Sequence, residues 1–474
     1  MRWRSQAGGT LRGASFSRVI AALLASILGG MLLLGLVAAP ALGQEGEPDL
    51  SAPEMESVYD PYRGIDPDGR IPRIDKAALV DRPERWRYIP EGRIKPGNLF
   101  QRFLVSSFIV PLFFVSSDVG VGFGAAVTDI DFRKQRRREF LGTFLTYTSE
   151  GQQSYVLRWR RWLKHLEVPG GGVLQEERSF VRAAGGYRKT LTRRFFGFGP
   201  RAGENDETSY TDQIAFLDIG MSRSLEGAFD DFIVDLGVRG EWHRLTDGKV
   251  SGKPDTDVLF PEIFADADLI GLGWLSTGLR WDTRDSQRNP YRGTQVGAFV
   301  DGALYQSSGD VAATYRIFAD QLFPVWPLLH DGGSEDEEHP PTDSVAFHAE
   351  TQLSSGDLPF FDRPTLGGRR LLRGYIAGRW RDDALWTAGT EYRFWVLPRG
   401  FPVWRHIRVE RVGLALFYEA GAVAGNGTEL FRARVRHSYG VSLRATIERA
   451  AIFRGDFGFS EEGLNIALGF GLAF

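Results

Sequence analysis

The chain has 474 residues, 43% of them hydrophobic, and a formal net charge of only −3. This near balance produces no global field that would attract nucleic acid, which is not expected as a partner. The sequence contains no cysteine, which excludes thiol catalysis, Cys-based zinc sites, disulfides and a lipoprotein anchor.

The N-terminus has the three parts of a secretory signal peptide. Arg2 and Arg4 begin a basic region, residues 19–39 are apolar, and Ala41-Leu42-Gly43 places small residues at a cleavage site. We predict a signal peptide over 1–43. An uncleaved anchor helix is the alternative, since the apolar stretch is long.

The next segment, residues 44–98, is rich in Pro, Asp and Arg and poor in apolar residues. This composition is typical of an extended or disordered segment. We predict a short periplasmic segment here.

From residue 99 to the C-terminus, strands and turns follow one another. Backbone polar groups cannot stay unpaired in lipid, so strands in a membrane must close on themselves. We therefore predict an all-β protein, a transmembrane antiparallel β-barrel over 99–474 in the bacterial outer membrane, with surrounding lipid and lipopolysaccharide. Sixteen strands are predicted, at 102–115, 119–130, 138–149, 152–162, 178–189, 209–224, 231–243, 270–282, 293–303, 311–322, 344–354, 384–395, 412–421, 436–446, 451–460 and 465–474.

The last predicted strand alternates without a break between apolar and small or polar residues and ends on an aromatic residue. This length and pattern are expected of the closing strand of a barrel. Phe470 and Phe474 also resemble the C-terminal signal by which outer-membrane barrels are recognised for insertion. The barrel assembly machinery is therefore an expected partner during insertion.

With an even number of strands, the first strand begins and the last strand ends on the same side of the membrane, which we predict to be periplasmic. Long connections at 189–208, 244–269, 355–383 and 422–435 then face outward, and the short turn 448–450 faces the periplasm. Two inner connections, 163–177 and 323–343, break this rule. The second carries an acidic run at 334–339, for which a solvated loop is preferred over a divalent-metal site.

Several predicted strands carry charges on the face opposite their apolar row. Glu391 and Arg393 share one such face, Glu419 lies on another, and Arg454 and Asp456 lie on a third. A charge facing lipid near the midplane costs about 2–4 kcal/mol. These faces are therefore predicted to line a polar lumen.

A glycine-flanked motif, Arg373-Gly374-Tyr375, lies between the eleventh and twelfth predicted strands. It resembles the tip of the long inward-folding loop of the BamA/TamA surface-antigen superfamily. Other motifs stand in the order this family shows, and the resemblance covers roughly 100–474. They are Asp282-x-Arg284-Asp285 followed by Pro290 and Gly293, residues 389–394 and 417–421, Arg454-x-Asp456, and more weakly 195–199.

The resemblance implies that the loop arginine reaches across the lumen. Arg373 would pair with Glu391 and Glu419, and Gly374 would let the tip turn sharply. The second acidic position is more often Asp in the family, but bidentate pairing with a guanidinium survives this change. The alternative is that Arg373 only solvates the loop while the acidic residues line a water-filled channel.

The resemblance also implies a role in assembly or translocation at the outer membrane, with other outer-membrane proteins as clients. Residues 44–98 leave no room for a POTRA domain, which departs from the large family members. A passive or gated pore and a structural surface antigen are the alternatives. The sequence contains no GxSxG or HExxH motif, so we predict no enzyme, no catalytic residue, no metal site and no cofactor.

Overall fold

The structure is a computed structural model that describes residues 60, 62–94, 107–116, 118–264, 269–404, 407–447 and 451–474. The predicted signal peptide, the predicted turn 448–450 and the first residues of the first predicted strand lie outside these ranges. Among the residues described, no helix is both long enough and apolar enough to cross a membrane.

Strands dominate the described chain, and we number them β1 to β22 in chain order. Outside the barrel, β1 (Trp86–Ile89), β6 (His165–Glu167) and β7 (Val173–Glu176) form a three-stranded sheet, and β15 (Thr365–Leu366) pairs with β16 (Trp380–Arg381). A short helix, α1, spans Thr256–Leu259. The barrel strands are β2 (Ser107–Ser116), β3 (Gly120–Asp129), β4 (Glu139–Thr148), β5 (Gln153–Trp162), β8 (Phe180–Phe195), β9 (Thr208–Ser224), β10 (Phe232–Asp247), β11 (Ile270–Asp282), β12 (Gly293–Gln306), β13 (Ala312–Val325), β14 (Asp343–Gly356), β17 (Ala384–Leu397), β18 (Phe401–Trp404), β19 (Ile407–Ala424), β20 (Arg436–Ile447), β21 (Ala451–Ser460) and β22 (Gly463–Phe470).

These seventeen strands form one antiparallel barrel sheet, which confirms the predicted fold class. Each of the sixteen predicted strands has a counterpart, and the long loop lies between the eleventh and twelfth of them. The additional strand is β18, which pairs only with the first residues of β19. β18 pairs with the part of β19 that precedes Val412, where the ladder between β17 and β19 begins.

The two faces of the barrel strands differ in chemistry as the alternation predicts. On β10, Leu236 and Val238 are about half exposed on the outer face. Asp235 points to the inner face and pairs with Arg280 of β11, with 2.6 Å between the carboxylate and Nε. The outer face is therefore suited to lipid, and the inner face encloses paired charges.

The N-terminal segment, residues 62–94, is ordered against the barrel, whereas an extended or disordered segment was predicted. It crosses the entry mouth, which we define as the barrel end where β2 begins and β22 ends. β1 pairs with β7, Lys76 lies 2.7 Å from Glu338, and Glu91 lies 3.2 Å from Arg136. The charged residues that reduce its hydrophobicity therefore order the segment through ion pairs with the connections of the barrel.

Further contacts extend this segment around the mouth. Arg85 pairs with Asp231 and donates to the carbonyl of Arg284, and Arg93 pairs with Glu410 near the start of β19. The N-terminal segment thus touches five connections and β19. We conclude that it covers the entry mouth, which the orientation predicts to face the periplasm.

The acidic run at 334–339 is only in part the solvated loop that was preferred from the sequence, since residues 334–336 are exposed. Glu337 and Glu338 are buried, at 3% and 7% exposed. Glu337 pairs with Arg399 at 2.6 Å, and Glu338 pairs with Lys76. The prediction was wrong for these two residues because their cationic partners lie 62 and 262 residues away in the sequence.

Candidate functional site: the Arg373 cluster in the barrel lumen

The connection between β14 and β17, residues 357–383, folds into the barrel, and we call it the inward loop. Its two short strands, β15 and β16, close its base. Leu366, Leu372, Tyr375 and Trp380 pack with residues of the wall in a buried apolar cluster, and Tyr375 meets Trp380 edge to face at 4.6 Å. The loop is therefore a packed element of the fold.

The guanidinium of Arg373 lies at the centre of the site and is 0% exposed. Its Nη1 is 2.6 Å from Glu391 of β17, and its Nε is 2.8 Å from Glu419 of β19. Asp456 of β21 lies 3.3 Å from the same Nη1. We call Arg373 and these three carboxylates the Arg373 cluster.

An aromatic ring and the charges stabilise the buried cation together. The guanidinium carbon lies 3.6 Å from the centroid of the Phe417 ring, a short cation–π contact. Burial by itself would lower the pKa of Arg373, but Glu391, Glu419 and Asp456 outweigh burial and raise the pKa above its ordinary value. The arginine therefore stays charged, and the site is built to hold it in place.

The backbone of the loop tip is held as firmly as the side chain. The amide N–H of Arg373 donates to Glu419 at 2.7 Å, and that of Gly374 donates to the Ser438 hydroxyl at 3.0 Å. Ser460 donates to the carbonyl of Gly374 at 2.8 Å, and Asn465 donates to the carbonyl of Arg373 at 2.8 Å. The tip thus contacts β19, β20, β21 and β22 in succession.

Gly374 is required for a close approach rather than for the sharp turn that was expected. The left-handed backbone at the tip belongs to Leu372, with φ of 53°. A Cβ on Gly374 would lie 2.5 Å from the carbonyl oxygen of Phe459, and one on Gly458 would lie 2.6 Å from the backbone of Arg373. The loop therefore meets β21 through bare backbone on both sides.

Outer partners orient two of the three carboxylates, those of Glu391 and Asp456. Arg393 lies 2.7 Å from Glu391, and Arg454 lies 2.8 Å from Asp456. Ser442 donates to Asp456 at 2.6 Å. These contacts fix the direction of both carboxylates, so that the Arg373 site is preorganised.

The strand-turn motif lies at the entry mouth, apart from the Arg373 cluster. Arg284 forms a bidentate pair with the fully buried Asp282, at 3.0 Å from Nη2 and 3.1 Å from Nε. Asp285 accepts the amide of Tyr291 at 3.0 Å, and Pro290 is buried in the same turn. Gly293 has φ of 106°, and a Cβ there would lie 2.6 Å from Arg284. These residues hold the β11–β12 turn against the N-terminal segment.

The C-terminus departs from the predicted strand 465–474. β22 ends at Phe470, because Gly471 takes a left-handed backbone with φ of 80°. Phe474 then stacks on His348 of β14, and its carbonyl accepts a hydrogen bond from Arg393 at 2.9 Å. The prediction that the strand reaches Phe474 was wrong, since lumen-facing residues draw the last residues inward.

Several residues of this site were not predicted from the sequence. Asp456 was placed in a strand motif without being joined to Arg373, and Gly458, Ser438 and Asn465 were not singled out. The available signal for these four residues was the alternation that places them on the inner face of β20, β21 and β22. It could not show which of many inward residues lie at the depth of the loop tip.

A strand barrel with an apolar outer face and a lumen filled by a docked loop defines a bacterial outer-membrane β-barrel. Residues 268–474 match the Omp85 superfamily domain. This match confirms, over these residues, the resemblance found in the motifs. No curated protein sequence matches the chain.

Solved structures give fold-level matches of low identity. BamA from Haemophilus ducreyi lacking POTRA domains 1–3 aligns at 13% identity and a TM-score of 0.45, over 77% of this chain and 69% of that one. CdiB from Acinetobacter baumannii aligns at 11% identity and 0.41, and CdiB from Escherichia coli at 10% and 0.45. Each CdiB match covers 77% of this chain and 59% or 60% of the CdiB chain.

Proposed function

We propose that this barrel aids the insertion of substrates into the outer membrane, or their passage across it. The observation that carries this proposal is the docking of one loop tip on consecutive strands. Arg373 and Gly374 bind β19, β20, β21 and β22, the last four strands of the barrel. The loop thus holds together the wall formed by the last four strands.

This arrangement suits a barrel that opens along one edge. If β22 and β2 separate, β19 to β22 would keep their shape because the loop clamps them from inside. Substrate strands could then pair with the freed edge, since edge strands present unpaired backbone groups. Pro111 in β2 supports this hypothesis, because proline removes one ladder donor from the first strand. The proposed partners are client outer-membrane proteins.

A gated pore is the second candidate, and the covered entry mouth favours it. The N-terminal segment contacts five entry-mouth connections, and the inward loop fills the lumen beyond. A solute would have to displace both. In this proposal, movement of the N-terminal segment and the Arg373 cluster would open a path.

Quantitative proteomics of outer membranes tests the assembly proposal. We would compare a strain lacking this protein with strains carrying Arg373→Ala or Arg434→Ala. Arg434 is the control because its ion pair with Glu461 is exposed at 64% and 44%. Loss of the same set of barrel or lipid-anchored proteins in the deletion and Arg373→Ala strains, but not with Arg434→Ala, is expected.

An unchanged outer-membrane inventory in the deletion strain would rule out assembly, and conductance in planar bilayers would then test the pore. A large rise in conductance of Arg373→Ala over the parent is expected of a gated pore. Lateral opening is tested by cysteine pairs introduced across β2 and β22, which is straightforward because the chain has no cysteine. Function that persists after the pairs are oxidised would exclude a moving edge.

A further inference from the structure

A second group of polar side chains, two of them buried and one half-buried, lies where the base of the inward loop meets β10. Glu241 and His243 share the inner face of β10, and Asp362 belongs to the 3-10 turn Phe360–Asp362 of the loop. One possible ligand atom from each of the three lies within 4.8 Å of the others. We call these three residues the β10 triad.

The three side chains leave polar atoms without hydrogen-bond partners. His243 is 4% exposed and Glu241 is 8% exposed. Nε2 of His243, Oε2 of Glu241 and Oδ2 of Asp362 are all buried and make no hydrogen bond. An unmade hydrogen bond at a buried polar atom costs about 1–3 kcal/mol. One ligand placed between the three atoms would offset this cost.

The histidine is oriented as a metal ligand would be. Its Nδ1 lies 3.0 Å from Asp212 of β9, a buried carboxylate. A carboxylate on one ring nitrogen directs the other nitrogen at a metal and increases its basicity. Phe361 stacks on the imidazole with 4.5 Å between ring centroids. His243 therefore presents Nε2 in a fixed direction.

Asp362 is also held in place by its neighbours. Phe360, two residues earlier, packs edge to face on Phe195 and Tyr210 at 5.0 Å and 5.2 Å. Arg381 donates to the carbonyl of Phe360 at 2.8 Å. The turn that carries Asp362 is thus anchored independently of any ion.

We propose that Glu241, His243 and Asp362 bind one divalent transition-metal ion of the zinc class, which ties the inward loop to β10. One imidazole with two carboxylates is a ligand set that zinc accepts, with metal–ligand distances of about 2.0–2.2 Å. Small side-chain movements would close the observed spacing. The ion would fix the base of the inward loop to β10. Strands β11 to β14 lie between β10 and the strands that bind Arg373.

Arg239 is the cation already present beside the triad. Its Nε lies 3.3 Å from Oε2 of Glu241, and its guanidinium lies 4.9 Å from the Trp274 ring centroid. Arg193 lies 3.6 Å from Asp212, so Glu241 and Asp362 are the carboxylates that remain for a divalent ion. In the proposed state, Arg239 stays on Trp274 while Glu241 turns to the ion.

Zinc binding by the full chain in detergent tests the proposal. The purified barrel would be dialysed against a chelator, and Zn²⁺ alone would then be added in isothermal titration calorimetry. One equivalent is expected to bind, with a rise in the thermal unfolding midpoint, because a ligand of the folded state stabilises it. Glu241→Gln and Asp362→Asn should each weaken binding by about 10–100-fold or more.

Two control variants separate this site from other acidic groups. Asp357→Asn removes an exposed carboxylate of the same loop, and Asp257→Asn disrupts the more exposed cluster of Asp247, Asp255 and Asp257. Both should bind zinc as the parent does. No zinc uptake by the parent would overturn the proposal, whatever the variants do. Binding that survives both triad variants, each checked for folding by heat-modifiable gel mobility, would overturn it as well.

Discussion

Gly374 of the inward loop and Gly458 of β21 meet through their backbones, with no side chain between them. A Cβ on Gly458 would lie 2.6 Å from the amide nitrogen of Gly374, far inside van der Waals contact. This approach brings the loop tip close enough for Arg373 to reach Asp456. The absence of two side chains is therefore as important to docking as the charges.

Gly458→Ala is expected to loosen the loop, because the added methyl overlaps backbone that cannot move without losing hydrogen bonds. Overpacking of this kind costs about 1–3 kcal/mol. Limited proteolysis of the assembled barrel should show faster cleavage in residues 357–383. Gly455→Ala on the same strand is the matched control, since its Cβ would meet Leu468 at an ordinary 3.6 Å. Equal cleavage of the two variants would contradict the contact.

Glu391→Gln is expected to destabilise the barrel strongly, because it leaves Arg373 and Arg393 short of a carboxylate in a buried site. Breaking a buried ion pair by removing one partner costs about 3–5 kcal/mol. Unfolding in guanidinium, followed by tryptophan fluorescence, would measure the change. Glu226→Gln should cost below about 1 kcal/mol, since its ion pair with Arg223 lies at the surface. A similarly small loss for Glu391→Gln would show that the cluster contributes little.

The stability of the barrel is expected to fall as the pH falls from about 6.5 to about 4, through His165 of β6. Burial, with Arg138, Arg136 and Arg161 nearby, lowers the pKa of His165 to about 4. The unfolded chain titrates near its ordinary pKa of about 6.5 and so binds more protons in this window. Thermal midpoints at several pH values would show the slope. His165→Gln should flatten it, and an unchanged slope would exclude His165 as a cause.

Lys76→Glu is expected to release part of the N-terminal segment from the entry mouth, because it places like charges at a contact of 2.7 Å with Glu338. Proteolysis within 62–94 should become faster, and the double variant Lys76→Glu with Glu338→Lys should partly restore protection. Arg70→Glu, at an exposed residue of the same segment, is the control. No recovery in the double variant would show that this ion pair does not hold the segment.

The alternation of apolar and polar residues determined the sixteen crossing strands without help from tertiary structure. Successive residues of a strand point to opposite faces, and the face toward lipid must be apolar. The same rule placed Glu391 and Glu419 on the inner face, where the structure brings them to Arg373. Local pattern thus sufficed for the barrel and for part of its candidate site.

Tertiary structure alone decided which inner residues meet. Asp456 contacts Arg373, which lies 83 residues away in the sequence, and Asp362 approaches His243 from another element. No local sequence pattern predicts either contact. Glu337 was predicted to be solvated but pairs with Arg399 in the fold. Phe474 was predicted to end a strand but turns inward to reach Arg393. Alternation specifies a face, whereas the depth of a residue in the barrel depends on strand register and on the path of the loop, which only the closed fold defines.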